Sequence, residues 1–217
     1  MNTVPRSNAR SLQGRRFAVF AVLVFWLLSI IFLGSLGAFA APDGEPPFAI
    51  VLGVAIPLAC FSAAYRLSEY FREFVLSADL RFVAGIQAWR VVGFAFIALY
   101  FYGILPGMFA WPAGLGDMAI GFTAPWIISS LGRKSAFSAS RTFLAWNLFG
   151  IADLVAALGT GALSAVLATG EPGEITARPM TELPLILIPG YLVPLLLMLH
   201  STALLQAGNS KGNLCSS

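Results

Sequence analysis

The chain has 217 residues, 58% of them hydrophobic and only 11% charged, with a mean hydropathy of +0.82 and a formal net charge of +3. A soluble domain carries about 25% charged residues; this chain has too little polar surface to face water, so its solvent is lipid. The small net charge without a basic-aromatic cluster argues against a nucleic-acid partner, and two distant cysteines, Cys60 and Cys215, exclude a disulfide framework or a Cys-x-x-Cys pair.

Spanning a bilayer takes about 20 apolar residues. Six stretches meet that length, near 17–41, 48–66, 83–105, 112–131, 142–168 and 183–206. Backbone groups must be paired in hydrocarbon, and Leu, Ala and Phe richness argues against barrel alternation, so the spans are helices. The expected fold is all-α, a polytopic transmembrane helix bundle. A basic tail over 1–16 precedes a single membrane domain over 17–206, and a tail follows over 207–217.

The first stretch, "RRFAVFAVLVFWLLSIIFLGSLGAFAAPDG", has the basic start and the Ala-Phe-Ala of a cleavable signal. Its apolar run exceeds the usual 7–15 residues, so it reads as a retained helix; cleavage after Ala40 would leave five. The connector over 67–81 places Leu67, Tyr70, Phe71, Phe74 and Val75 at helical spacing, with Glu69, Arg72, Glu73 and Asp79 largely on other faces. It reads as an amphipathic helix on the inner membrane surface.

Arg6, Arg10, Arg15, Arg16, Arg66, Arg72, Arg81, Arg133, Lys134, Arg141 and Lys211 all fall on one side of the six-helix arrangement, against Arg178 alone on the other. The positive-inside rule then places both termini in the cytoplasm.

Arg90, Asp117, Asn147, Asp153 and His200 interrupt the apolar spans, with Gln87 one turn before Arg90. An Arg or Asp at a span centre costs about 2.5–3.5 kcal/mol on insertion scales, so these groups must face protein, water or each other. At 1.5 Å per residue, Arg90 lies roughly 11–13 Å from the inner boundary and Asp153 roughly 16 Å, compatible depths for an ion pair. Asp117 descends from the other side to near 22 Å on the same scale, farther from Arg90, and Asn147 and His200 lie at roughly 8–9 Å. Asn147, Gly150, Asp153, Ala157, Thr160, Gly161 and Ser164 share one helix face. Gly114, Asp117, Gly121 and Ala124 share another, and small residues there let helices approach closely. One Arg and two Asp leave one surplus negative charge. The expectation is that Arg90 pairs with Asp153 and leaves Asp117 as the protonatable or ligand-facing acid. His200 reads as an interfacial hydrogen-bonding residue and Asn147 as helix glue.

"AWRVVG" over 88–93 recurs as "AWNLFG" over 145–150, and "GLGDMA" over 114–119 resembles "GIADLV" over 150–155 in a segment that runs the opposite way; inverted repeats often frame transporter sites. Trp89 and Trp146 read as interface-belt residues. In the last span Pro189 and Pro194, beside Gly190, break the backbone ladder and release carbonyls that need a neighbour, water or a ligand.

"QAWR", "GILPGMF", "GDMAIGFTAP", "AWNLFG" and "LPLILIPGYLVPLLLMLH" together resemble a set of uncharacterised bacterial multi-pass membrane proteins. The shared positions are Gln87, Arg90, Gly103, Pro106, Asp117, Gly121, Ala124, Pro125, Trp146, Asn147, Gly150, Pro189, Val193, Pro194 and His200. The likeness covers about residues 85–206 and leaves the first two helices outside. It implies a helical fold in the bacterial cytoplasmic (inner) membrane and no activity.

The polar centre favours a small proton- or ion-coupled solute transporter or pore. Its candidate site comprises Asp117, Arg90, Asp153, Asn147, Gln87 and His200, with helix breaks at Pro189, Gly190 and Pro194. The alternatives are a structural or accessory subunit with polar pairs as glue, and an intramembrane enzyme acting on lipid. No H-E-x-x-H, G-x-S-x-G, Walker or G-x-G-x-x-G motif supports an enzyme. A single His makes neither a metal site nor a bis-histidine haem, so no cofactor is expected. Expected partners are membrane lipid, a proton or small ion, and a second copy of the chain.

Overall fold

The computed structural model describes the backbone of residues 6–215 and the side chains of residues 17–134 and 136–209. The basic side chains expected at Arg6, Arg10, Arg15, Arg16 and Lys211 lie outside the described residues. The described fold is all-α. Helix α1 (Arg6–Ser35) begins inside the expected tail and ends in a turn at Gly37, whose φ of 69° suits a residue without Cβ. Helix α2 (Phe48–Leu67) leads directly to α3 (Glu69–Leu76). Ser68 is the joint: it closes α2 and its hydroxyl accepts from the Phe71 N–H at 3.2 Å to cap α3. Asp79 then caps α4 (Leu80–Gln87), accepting from the Arg81 N–H at 2.8 Å.

These caps correct the expected single connector over 67–81. Two polar caps cut it into a short helix and the first turn of the next. α3 is also fastened to the bundle, because the Gln206 side chain donates to the carbonyls of Val75 and Ala78, both at 2.9 Å. Val75 is buried, and Phe71 stacks edge-on against Phe61 of α2.

After α4 the backbone tightens into a 3-10 segment (Ala88–Gly93), then resumes as α5 (Phe94–Phe101). Helix α6 (Gly107–Arg133) follows a turn in which Gly103 takes positive φ. It starts five residues before the expected 112: Pro106 occupies the cap position, and "GMFAW" is already helical. Helix α7 (Arg141–Val166) is capped by Ser140, which accepts from the Phe143 N–H at 3.1 Å. A loop with a short 3-10 turn (Arg178–Thr181) leads to a π-helical segment (Ile188–Leu192), which runs into α8 (Val193–Cys215). The expected helix break is thus a π-turn in which the Val193 N–H reaches back to the Ile188 carbonyl.

Helix α6 is the centre, packed against α4, the 3-10 segment, α5 and α7, while α8 packs against α7 and α2. α1 leans on the π-segment, with Trp26 against Tyr191 at 4.6 Å between ring centroids and Ile30 beside Ile186. Phe20, Phe25, Phe32, Phe48, Phe122 and Trp126 point outward. Such a surface suits lipid.

Five described helical stretches are long and apolar enough to cross a membrane: Phe17–Ser35, Phe48–Leu67, Leu80–Phe101, Arg141–Val166 and Ile188–Asn209. This is a membrane protein. The sixth expected span, carried by α6, has 27 residues but does not qualify by apolarity, because glycines, two prolines and Asp117 dilute it. Its outward face still carries Leu115, Phe122 and Trp126.

Candidate ion or solute site

The site is assembled by glycines. A Cβ on Gly121 of α6 would strike the backbone N of Val91 and lie 2.8 Å from its Cα. A Cβ on Gly114 would lie 3.1 Å from the Gly93 carbonyl oxygen. Backbone therefore meets backbone where α6 crosses the 3-10 segment, the close approach that small residues permit in membranes. Asp117 lies between these two glycines on the same face and is presented to Arg90. Gly116 leaves the space that the Asp153 carboxylate fills, and Gly150 the space for the His200 ring.

Arg90 is 4% exposed and all three of its nitrogens have partners. Nε donates to Asp117 Oδ1 at 2.6 Å, and Nη2 donates to Asp153 Oδ2. Nη1 lies 3.4 Å from the Gly150 carbonyl oxygen and 3.2 Å from His200 Nε2. The network assigns the imidazole tautomer. A guanidinium can only donate, so His200 Nε2 is the acceptor and the ring proton sits on Nδ1. Nδ1 then donates to Asn147 Oδ1 at 2.9 Å, and Asn147 Nδ2 donates to the Phe143 carbonyl at 2.8 Å. The result is a directed chain from Arg90 through His200 and Asn147 to the backbone of α7.

The expected Arg90–Asp153 pair is present. The expectation that Asp117 stands apart is corrected, since Asp117 bonds the same guanidinium. The depth arithmetic assumed a span starting at 112; with α6 starting at Gly107, Asp117 lies ten residues in, roughly 15 Å along the axis. His200 is corrected too: it is fully buried within the polar cluster. Gln87 is buried but separate. Its Nε2 donates to the Leu196 carbonyl at 3.3 Å, and its Oε1 has no partner among the described residues. Of the expected break residues, Pro189 lines a cavity, Gly190 faces Ile30 of α1, and Pro194 is fully buried.

Sequence reasoning missed the Gly150 carbonyl and the role of Trp146. The Trp146 ring lies edge-on to His200 at 5.4 Å and its Nε1 donates to Thr123 Oγ1 at 2.8 Å. Trp146 thus walls the cluster as well as facing outward. Its position next to Asn147 was the available signal. Trp89, by contrast, is 78% exposed and takes no part in the cluster.

A cavity of ≈ 380 Å³ opens beside this cluster. Its walls are mostly apolar, including Val54 of α2, Phe96 of α5, Ala113 of α6 and Leu154 of α7. Asp117 lies at one end; Asp43, Thr176 and Arg178 from the loops lie at the other. Of the three charged cluster residues only Asp117 lines it. The Asp117 side chain is 17% exposed, against 8% for Asp153 and 2% for Arg90. Among the described residues, no three His, Cys, Asp or Glu side chains are grouped to hold a metal ion.

A family model for a domain of unknown function, DUF8737, matches residues 47–207. The chain belongs to this family. The DUF8737 match takes in every residue of the polar cluster and also α2, which the sequence resemblance left outside; α1 lies before it. No curated protein and no solved structure matches the chain.

Proposed function

We propose that this membrane protein is a small carrier in which the cavity takes up a solute and the Asp117–Arg90–Asp153 cluster couples its passage to a proton or small cation. The observation that carries the reading is the asymmetry of the two acids on one arginine: Asp153 is enclosed, whereas Asp117 opens onto the cavity. With both acids ionised and His200 in its neutral tautomer, the cluster carries one negative charge against apolar walls. Burying an uncompensated charge is costly. A proton or cation on Asp117 neutralises the cluster, and its release restores the charge, so loading and unloading are tied to a change at one side chain. The π-turn lining the cavity and the 3-10 segment carrying Arg90 supply irregular backbone at functional depth, as carriers use. On the positive-inside reading, the loop end of the cavity faces away from the cytoplasm, in a bacterial inner membrane.

The test is reconstitution of the purified chain into liposomes with an internal pH dye and an imposed gradient of protons or candidate solutes. Wild-type protein should produce a protein-dependent pH change that Asp117→Asn removes. Flux unchanged in Asp117→Asn would overturn the reading. One observation favours a second, structural role: every nitrogen of Arg90 is already satisfied, as in a helix fastener. In that case a folded wild type gives no flux under any gradient.

A further inference from the structure

We infer that the cavity is a binding site for a hydrophobic monoamine, held with its protonated nitrogen on Asp117 and its apolar body along α2, α5 and α7. The inference deepens the carrier reading and rests on it for the use to which binding is put.

Three features select this chemistry. Size comes first: ≈ 380 Å³ lies at the lower end of small-molecule sites, which run from about 300 to 1,000 Å³. The wall comes second. Val54, Phe96, Ala113, Leu154 and Val193 offer no hydrogen bonds from their side chains, so the bulk of the occupant is apolar. Charge comes third. At the cluster end the polar group is a carboxylate whose Oδ1 already accepts from Arg90 and whose cluster has one negative charge in excess. An anionic head group placed there would meet like charge, and the Arg90 guanidinium that could hold it does not line the cavity. A fatty acid or a phosphate head is therefore disfavoured at the Asp117 end.

A bare divalent cation is also a poor match. Hard cations such as Ca²⁺ and Mg²⁺ take six or more oxygen ligands, and the wall supplies one carboxylate at this end. A secondary or tertiary ammonium has only one or two N–H donors to satisfy, and its substituents fill apolar space. A charge-assisted N–H···O bond to Asp117 would then replace the missing positive charge. When Asp117 instead holds a proton, the amine loses its counter-ion. Amine and proton thus compete for one carboxylate, the elementary requirement for exchange of one against the other.

The test is equilibrium binding on the purified full chain. Radiolabelled dimethyl(phenylbutyl)amine is displaced by the unlabelled amine, by phenylbutanol or by phenylbutyrate. These three probes share one body and differ in head charge. The amine should bind saturably, the alcohol at least about tenfold more weakly, and the carboxylate more weakly still. Asp117→Asn should erase the gap between amine and alcohol. Ala162→Phe, which fills the cavity wall away from the cluster, should weaken both, with an unfolding profile like that of wild type. No saturable amine binding to wild type, carboxylate binding equal to amine, or an amine–alcohol gap surviving in Asp117→Asn would each overturn the inference; so would undiminished amine binding in Ala162→Phe. Liposome flux is measured beside it. Saturable amine binding without any flux upholds the site and defeats the carrier reading, whereas Asp117-dependent proton flux without amine binding does the reverse.

Discussion

Replacing Gly121 with alanine adds one methyl group at the tightest backbone crossing in the bundle. The new Cβ would lie 2.8 Å from Val91 Cα and 2.9 Å from the Arg90 carbonyl carbon. Carbon atoms settle at about 3.5–4.0 Å, so α6 and the 3-10 segment must part by roughly 1 Å. The atoms met belong to backbone, and no rotamer change relieves the clash. Overpacking of this kind costs about 1–3 kcal/mol, and the absence of a soft neighbour puts it at the upper end. The same movement stretches the 2.6 Å contact from Arg90 Nε to Asp117 beyond the ~3.2 Å limit of a good N–H···O bond. Gly159 of α7 provides the comparison, because a Cβ there meets nothing within 4 Å. Unfolding by SDS titration in mixed micelles, followed by tryptophan fluorescence, measures both variants. Gly121→Ala should lose about 2–3 kcal/mol or more, and Gly159→Ala should stay within about 0.5 kcal/mol of wild type. Equal midpoints for the two variants would refute the argument that this crossing positions Arg90.

Three further outcomes follow from the cluster and the loop. Arg90→Leu leaves two buried acids without their cation and should cost about 3–5 kcal/mol; adding Asp117→Leu and Asp153→Leu should restore most of it, since apolar replacement of a buried ionic group is often neutral. The same SDS titration checks this, and a triple variant no better than the single one would contradict it. His200→Phe strands Asn147 Oδ1, leaves Arg90 Nη1 with the Gly150 carbonyl alone and should cost about 1–3 kcal/mol, more than Trp146→Phe, which loses one hydrogen bond to an exposed threonine hydroxyl. In the loop after α7, the Glu174 carboxylate accepts from the Thr169 hydroxyl and the Thr169 and Gly170 N–H groups, which hold its carboxyl below the ordinary 4.5. A depressed folded-state value means the loop's stabilisation is present above 4.5 and is lost as pH falls through the folded value. Hydrogen exchange at Thr169 and Gly170, corrected for intrinsic rates, should speed up on that acidification in wild type but not in Glu174→Gln.

The sequence was most readable where periodicity and chemistry agreed. Asp153 and Asn147 share a face with Gly150, and the arginine depth matched Asp153, so that pair followed from spacing. Pro189 and Pro194 announced an irregular last helix, although only the backbone reveals that the irregularity is a π-turn. What escaped the sequence came from two local effects. Pro106 starts α6 earlier than the hydropathy edge suggests, which carries Asp117 down to Arg90. The tightening of Ala88–Gly93 depends on contact with α6, a tertiary effect that no single stretch encodes. The cavity was only half legible: Ala157 and Gly161 marked a small-residue face, but the opposing walls come from α2, α5 and α6, far away in the chain.

The order in which the cluster's members leave the ribosome matters for how such charged segments enter a bilayer. Arg90 precedes Asp117 by 27 residues, Asp153 by 63 and His200 by 110. At about 5–20 residues per second, Asp117 emerges some 1–5 s after Arg90. The guanidinium thus meets its first counter-charge within one newly made hairpin, and the two can partition into lipid as a neutral unit. Asp153 arrives later at an arginine already occupied. The histidine then closes the set only when synthesis is nearly over, so a nascent chain stalled before α8 would hold the excess negative charge with its last hydrogen-bond partner still missing.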